Sequence, residues 1–279
     1  MMKYTVKEEI FVDQKKRQIP MNSWLPAKSK AQLIVLHGFS QHMGYYQTLA
    51  KRLNDEGIAV HMMDLPGHGK AGGIRGHIGH FNEYLDTVDL LLNQNPHILK
   101  TKPKFLFGHS LGGLIAFNYC LQRKHTFKGV IATSPLTGFP PLGSLPILLL
   151  VKFLARKQRN IPFPKPAGVK TLSRNPKMWT RYYSDPYRGR LITPNLYLVM
   201  DAKAKKLHES AAAFRLPLLM FIASQDKVVS PEACQRFFGN VSSTDKSLVV
   251  FSQAMHELLQ EEESTQILET MTSWIEERL

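Results

Sequence analysis

The chain has 279 residues, of which 43% are hydrophobic and 21% charged, ordinary proportions for a soluble globular protein with room for one large α/β core. Its apolar runs, such as residues 145–151, are far below the roughly 20 residues that a membrane span needs. The formal net charge is +14, and no recognisable nucleic-acid module accompanies that charge, so no nucleic-acid partner is expected.

In chain order, the first two β-rich stretches, residues 4–12 and 17–24, are joined by a charged turn and predict an antiparallel hairpin. Apolar strands then follow at 32–36, 59–63, 105–107, 129–133, 218–223 and 248–251. Helical patterns lie near 45–56, 82–93, 111–122, 231–238 and 264–278. Strands alternating with helices predict a mostly parallel eight-stranded sheet, covered by helices on both faces. The alternation breaks after Thr137. Residues 137–200 hold eleven basic residues and one acid, Asp185, so most of the excess charge sits there. The segment opens with Gly138, Pro140, Pro141 and Gly143 and runs into an apolar helix predicted at 145–155, with Ser144 as its cap and Pro146 in its first turn. Arg156, Lys157 and Arg159 follow that helix. The expected organisation is a core of residues 1–136 and 201–279, with 137–200 inserted as a cap. An apolar helix beside a basic cluster also suits peripheral contact with an anionic membrane surface.

The most informative local pattern is Gly108-His109-Ser110-Leu111-Gly112, between a predicted strand and a predicted helix. A serine in a Gly-x-Ser-x-Gly turn of this kind is a nucleophile elbow: the glycines allow a tight turn, and the serine oxygen stands at the top of the sheet. A glycine-rich anion loop shares the geometry, but this stretch lacks the lysine of a P-loop. Serine needs an adjacent base, and in this arrangement the chain order is serine, acid, histidine. Asp226 and His256 each lie just past the end of a predicted strand and fit that order. His256 would take the Ser110 proton, and Asp226 would hold the imidazole tautomer. The backbone N–H of Leu111 would be one oxyanion donor, and that of Phe39, after the strand ending in Leu36, the other.

No metal or cofactor is expected. There is no HExxH, and Gly67–Gly69 and Gly72–Gly73 miss the dinucleotide spacing. Cys120 and Cys234 read as two reduced thiols, and the N-terminus MMKYTVKEEIF has no apolar signal region. The expected location is cytoplasmic or peripheral to a membrane.

With these motifs in place, the chain resembles the monoacylglycerol lipase and bacterial lysophospholipase branch of the α/β-hydrolases. The likeness spans nearly the whole chain. It rests on HGFSQHMGYY at 37–46, DLPGHGKAGG at 64–73, FGHSLGG at 107–113 and TSPL at 133–136. It continues through LSRN at 172–175, YSDP at 183–186, SQD at 224–226 and MHELL at 255–259. The resemblance implies an α/β-hydrolase fold and a cofactor-free serine carboxylester hydrolase acting on single-chain acyl lipids. Three positions depart from it. Gln41 stands where members commonly have glutamate, Tyr45 where many have arginine or lysine, and Leu259 where the mammalian enzymes have histidine. The resemblance assigns those positions to the region that receives the glycerol head. A generic medium-chain esterase or acyl-thioesterase uses the same machinery. A proline iminopeptidase would need acids near the site, and a non-catalytic lipid-binding protein would have lost a triad member.

Overall fold

Six consecutive buried residues in each of four strands set the architecture. These are β3 (Ala31–Leu36), β4 (Ile58–Met63), β5 (Lys104–His109) and β9 (Leu218–Ala223). Strands buried along their whole length need cover on both faces, which is the environment of a parallel sheet. The computed structural model describes residues 4–140, 153, 160–164 and 168–279. The sheet runs β1-β2-β4-β3-β5-β6-β9-β10, with β1 at Tyr4–Val12, β2 at Gln18–Pro26, β6 at Phe127–Thr133 and β10 at Lys246–Phe251. The β1–β2 and β2–β4 pairs are antiparallel and all the others parallel. The hairpin starts its second strand at Gln18 because Arg17 belongs to the turn. The Arg17 N–H donates to Asp13 Oδ1 at 2.9 Å, and the Asp13 N–H donates to the Arg17 carbonyl at 3.0 Å.

Alternate side chains of each strand feed two cores. Ile34, Leu36, Leu106, Met220 and Ile222 join α2 (Asn82–Gln94), α3 (Leu111–Gln122) and helix residues Leu196, Met200, Cys234 and Phe237 on one face. Leu33, Val35, Phe105, Phe107 and Phe221 join α1 (Gln47–Asp55) and Ile267, Met271 and Trp274 on the other.

The segment after β6 carries more helix than the sequence reading anticipated. α4 (Pro176–Ser184) and α5 (Pro194–Glu209) each begin at a proline behind a capping side chain. Asn175 accepts from Lys177 N at 3.0 Å, and Thr193 from Leu196 N at 3.2 Å. The same device starts α6 (Pro231–Asn240) behind Ser230. A short antiparallel pair joins β7 (Phe163–Pro164) to β8 (Leu191–Ile192). The division placed at 200/201 falls inside α5, whose Leu196 and Met200 are buried in the core. The apolar helix expected at 145–155, apart from Phe153, lies outside the described residues, as do Arg156, Lys157 and Arg159. The chain closes with α7 (Ser264–Glu276). Among the described residues no helix is long and apolar enough to cross a membrane. Both cysteines are free thiols, and burial pushes the Cys234 thiol up to about 12.

Candidate active site

β5 ends at His109, and α3 begins at Leu111, so a single residue makes the turn between them. That residue, Ser110, has φ 52° and ψ −115°, a conformation L-residues rarely adopt. Strain of this kind persists only where the surroundings impose it, and it clusters at functional sites. The glycines around it are required by space. A Cβ on Gly108 would come within 2.3 Å of the Gly112 carbonyl oxygen, and one on Gly112 within 2.0 Å of the Leu36 carbonyl oxygen. The Ser110 N–H is tied to β6 through the Thr133 carbonyl at 3.1 Å, and its carbonyl accepts from Leu114 and Leu136.

Asp226 follows β9, and His256 follows β10. The structure brings both to Ser110. His256 Nε2 lies 3.0 Å from Ser110 Oγ, and His256 Nδ1 lies 2.7 Å from Asp226 Oδ2. Asp226 Oδ1 accepts from the N–H groups of Val228 at 2.8 Å and Val229 at 2.9 Å. A carboxylate only accepts, so Nδ1 carries the imidazole proton, and Nε2 is left to accept from the serine hydroxyl.

Phe39 lies in the loop after β3, and that loop abuts Ser110: a Cβ on Gly38 would lie 3.3 Å from Ser110 Cβ. Leu111 is the first residue of α3, where a backbone N–H has no intrahelical acceptor. His37 anchors the loop. Its Nδ1–H donates to the Gly38 carbonyl at 2.8 Å, and its Nε2 accepts from Leu65 N at 2.9 Å. Burial pushes its pKa down to about 3, so it stays neutral and able to accept.

The residues around the triad form a buried polar network that motif reading did not reveal. Gln41 uses both halves of its amide. Oε1 accepts from Gly38 N at 2.9 Å and Tyr46 O–H at 2.6 Å, while Nε2 donates to Tyr182 Oη at 2.8 Å and Glu257 Oε2 at 2.6 Å. Glu257 is buried directly after His256, and its Oε2 is 3.5 Å from His109 Nε2. Burial alone would push the Glu257 carboxyl up. Attraction to His109, with further help from His256 and Tyr182, outweighs burial and holds it below the usual range. The His109 ring lies against that of His256, with centroids 4.9 Å apart. The signal for this network was present in His109 of the elbow and in the Glu257 that adjoins the histidine, but neither position has chemistry that spacing alone would reveal.

The three departing positions meet here. Gln41, Tyr45, Tyr46, His109, Glu257 and Leu259 border a void of only about 10 Å³. Tyr45 turns away to donate to Asp185 Oδ2 at 2.5 Å, and His42 Nε2 donates to the same oxygen at 2.7 Å. Arg181 Nη2 donates to the Gly44 carbonyl at 2.7 Å, and Gly189 N to the Ser40 carbonyl at 3.0 Å. The Ser40 hydroxyl in turn donates to the Gly189 carbonyl. Residues 181–189 therefore clasp the loop that holds Phe39.

Gln41 explains how Glu257 can be buried as a carboxylate: an amide donates where a second carboxylate would repel. In Gln41→Glu the two acids must share a proton, which raises the pair's pKa above that of unfolded glutamate. The folded state then binds more protons than the unfolded one, so stability is fully present at low pH and lost as pH rises through the raised value. The expected result is a melting temperature near wild type at pH 4 that falls behind it progressively towards pH 8. A deficit independent of pH would show that the network does not work this way.

The sheet order, the Ser110 elbow and the serine–acid–histidine order along the chain define an α/β-hydrolase. The model of the Hydrolase_4 family, described as serine aminopeptidase S33, matches residues 27–263, and the chain belongs to that family. It is 28% identical over 262 residues to a monoacylglycerol lipase of Mycolicibacterium smegmatis, covering 92% of each chain. It is 26% identical to phospholipase YtpA of Bacillus subtilis, covering 92% of this chain and 99% of that one. The crystal structure of Paleococcus ferrophilus monoacylglycerol lipase superposes with a TM-score of 0.83 at 28% identity, covering 97% of this chain and all of that one. The chain spans 28% of the length of an uncharacterized abhydrolase domain-containing protein of Dictyostelium discoideum that it also matches.

Proposed function

We propose that the protein is a serine carboxylester hydrolase that cleaves single-chain acyl lipids through an acyl-enzyme intermediate. The observation that carries this reading is the continuous hydrogen-bonded chain Ser110–His256–Asp226 at 3.0 and 2.7 Å, on a strained elbow at the ends of parallel strands. In this reading Ser110 Oγ attacks the ester carbonyl as His256 Nε2 takes its proton. The N–H groups of Phe39 and Leu111 receive the oxyanion, His256 returns the proton to the leaving alcohol, and Asp226 steadies the imidazolium. Water then repeats the sequence on the acyl-enzyme. The lipases and phospholipase among the relatives support an acyl lipid as the substrate.

The family description names an aminopeptidase. Capture of a free amino terminus needs an unspent acid. In residues 137–200 the single acid, Asp185, is engaged by Tyr45 and His42, and Glu257 is engaged by Gln41. We read residues 137–200 as a cap over the site, and its eleven basic residues suit peripheral contact with anionic membranes.

A panel of p-nitrophenyl esters, a monoacylglycerol, lysophosphatidylcholine and a proline aminomethylcoumarin tests the reading. The esters and at least one lipid should turn over, while the proline amide should not. Turnover of the proline amide alone would overturn it. Cosedimentation with phosphatidylglycerol vesicles should weaken as salt rises, and equal cosedimentation with neutral vesicles would remove the membrane contact.

A further inference from the structure

Arg188 is a buried cation without an anion. It is 8% exposed, and its Nε is buried with no hydrogen-bond partner. Among the described residues its guanidinium meets no carboxylate. The rest of the chain contains no aspartate or glutamate that could supply one. The guanidinium lies 5.1 Å over the Tyr182 ring, and its charge acts on the Tyr45 hydroxyl. An isolated buried charge is costly, so such a group is normally paired. The other described arginines of this region have their oxygens: Arg181 has the Gly44 carbonyl, Arg174 has Glu261 and Glu263, and Arg190 has the Tyr183 carbonyl.

Position gives this unpaired charge a role. Arg188 precedes Gly189, whose backbone exchanges hydrogen bonds with Ser40, the neighbour of Phe39. Tyr182, beneath the guanidinium, is bonded to Gln41, which caps the Gly38 N–H of the same loop. The cation therefore stands beside the region that would receive the head of an acyl ester. A guanidinium offers five donors in a planar fork that matches a phosphate, and it sheds water more readily than an ammonium.

We propose that Arg188 is a specificity-determining residue that binds the phosphate of an anionic head group, so that the preferred substrate is a monoacylglycerol phosphate rather than a neutral monoacylglycerol. This deepens the acyl-lipid reading and rests on it. The reaction consumes water and breaks only the acyl C–O bond, giving a fatty acid and glycerol phosphate. The phosphate ester stays intact.

The test compares kcat/KM for 1-oleoylglycerol 3-phosphate and 1-oleoylglycerol, at fixed ionic strength, in wild type, Arg188→Gln and Arg188→Lys. The ratio of phosphorylated to neutral substrate should fall about 10- to 100-fold in Arg188→Gln, the range for losing a charge-assisted hydrogen bond, with Arg188→Lys in between. An unchanged ratio, including an equal fall on both lipids, would overturn the proposal while leaving the acyl-lipid reading in place. If Arg188→Gln fails to fold, the lysine variant carries the comparison. Thermal melts provide a readout independent of turnover. Glycerol 3-phosphate should raise the melting temperature of wild type and leave Arg188→Gln unmoved. With that shift present and neither lipid hydrolysed, the acyl-lipid reading fails and the anion site stands. Inorganic phosphate stabilising as well as glycerol 3-phosphate would assign a free-phosphate site and overturn the head-group role.

Discussion

Ser110→Ala is expected to lower kcat by about 10⁶-fold, the scale seen when a triad nucleophile is removed, which corresponds to about 8 kcal/mol of barrier. The loss comes from chemistry rather than from unfolding. Ser110 is 6% exposed, and its backbone is held by Thr133, Leu114 and Leu136 whatever side chain it carries. The alanine variant should therefore melt close to wild type and lose covalent labelling by a fluorophosphonate. Ser110→Gly separates the two roles of this residue. Its φ of 52° is strained for any residue with a Cβ, at a cost of about 1–3 kcal/mol. Glycine removes that strain, so Ser110→Gly should be as inactive as Ser110→Ala and melt above it. Steady-state hydrolysis of a p-nitrophenyl ester and thermal melts check both statements. More than a tenth of wild-type activity in Ser110→Ala would remove the residue from the mechanism.

What could be read from the sequence was whatever local rules dictate. Leu218–Ala223 and Leu111–Gln122 fall where apolar runs and flanking glycines place them, because burial on both faces leaves a strand no polar positions and the elbow fixes the first helical residue. The order of Ser110, Asp226 and His256 was likewise legible, since each stands just past a strand end. Helices 176–184 and 194–209 were missed, although Asn175-Pro176 and Thr193-Pro194 carry the cap-plus-proline start. Basic residues and prolines there obscured the helical period. The Gln41–Glu257–Tyr182 network was illegible for a different reason. Its members are 141 and 216 residues apart along the chain, and only the tertiary fold joins them. Arg188 was one of eleven basic residues until burial distinguished it from the other described ones.

Asp226→Asn is expected to lower kcat/KM by roughly 10³- to 10⁴-fold, by analogy with the loss of the orienting acid in serine proteases, although the change is nearly isosteric. The two oxygens of Asp226 have different tasks. Oδ1 accepts from Val228 N at 2.8 Å and Val229 N at 2.9 Å, while Oδ2 accepts from His256 Nδ1 at 2.7 Å. An asparagine oxygen can serve only one of these sites. Keeping it on the two backbone donors satisfies two hydrogen bonds and turns the amide NH₂ towards His256. Flipping it would set the NH₂ against two N–H groups and leave both unpaired, at about 1–3 kcal/mol each. The backbone therefore selects the harmful orientation. Facing a donor, His256 Nδ1 must become the acceptor, so the imidazole proton moves to Nε2, the atom 3.0 Å from Ser110 Oγ. An Nε2 that already carries a proton cannot take one from the serine. The variant should fold and melt like wild type, and its labelling by a fluorophosphonate should slow in proportion to its turnover. Near-silence of Asp226→Asn would mean that the acid lies elsewhere. Asp201 also lies between Ser110 and His256 in chain order, yet its carboxylate is held by Lys205 at 2.6 Å on α5, so Asp201→Asn is expected to leave labelling at the wild-type rate.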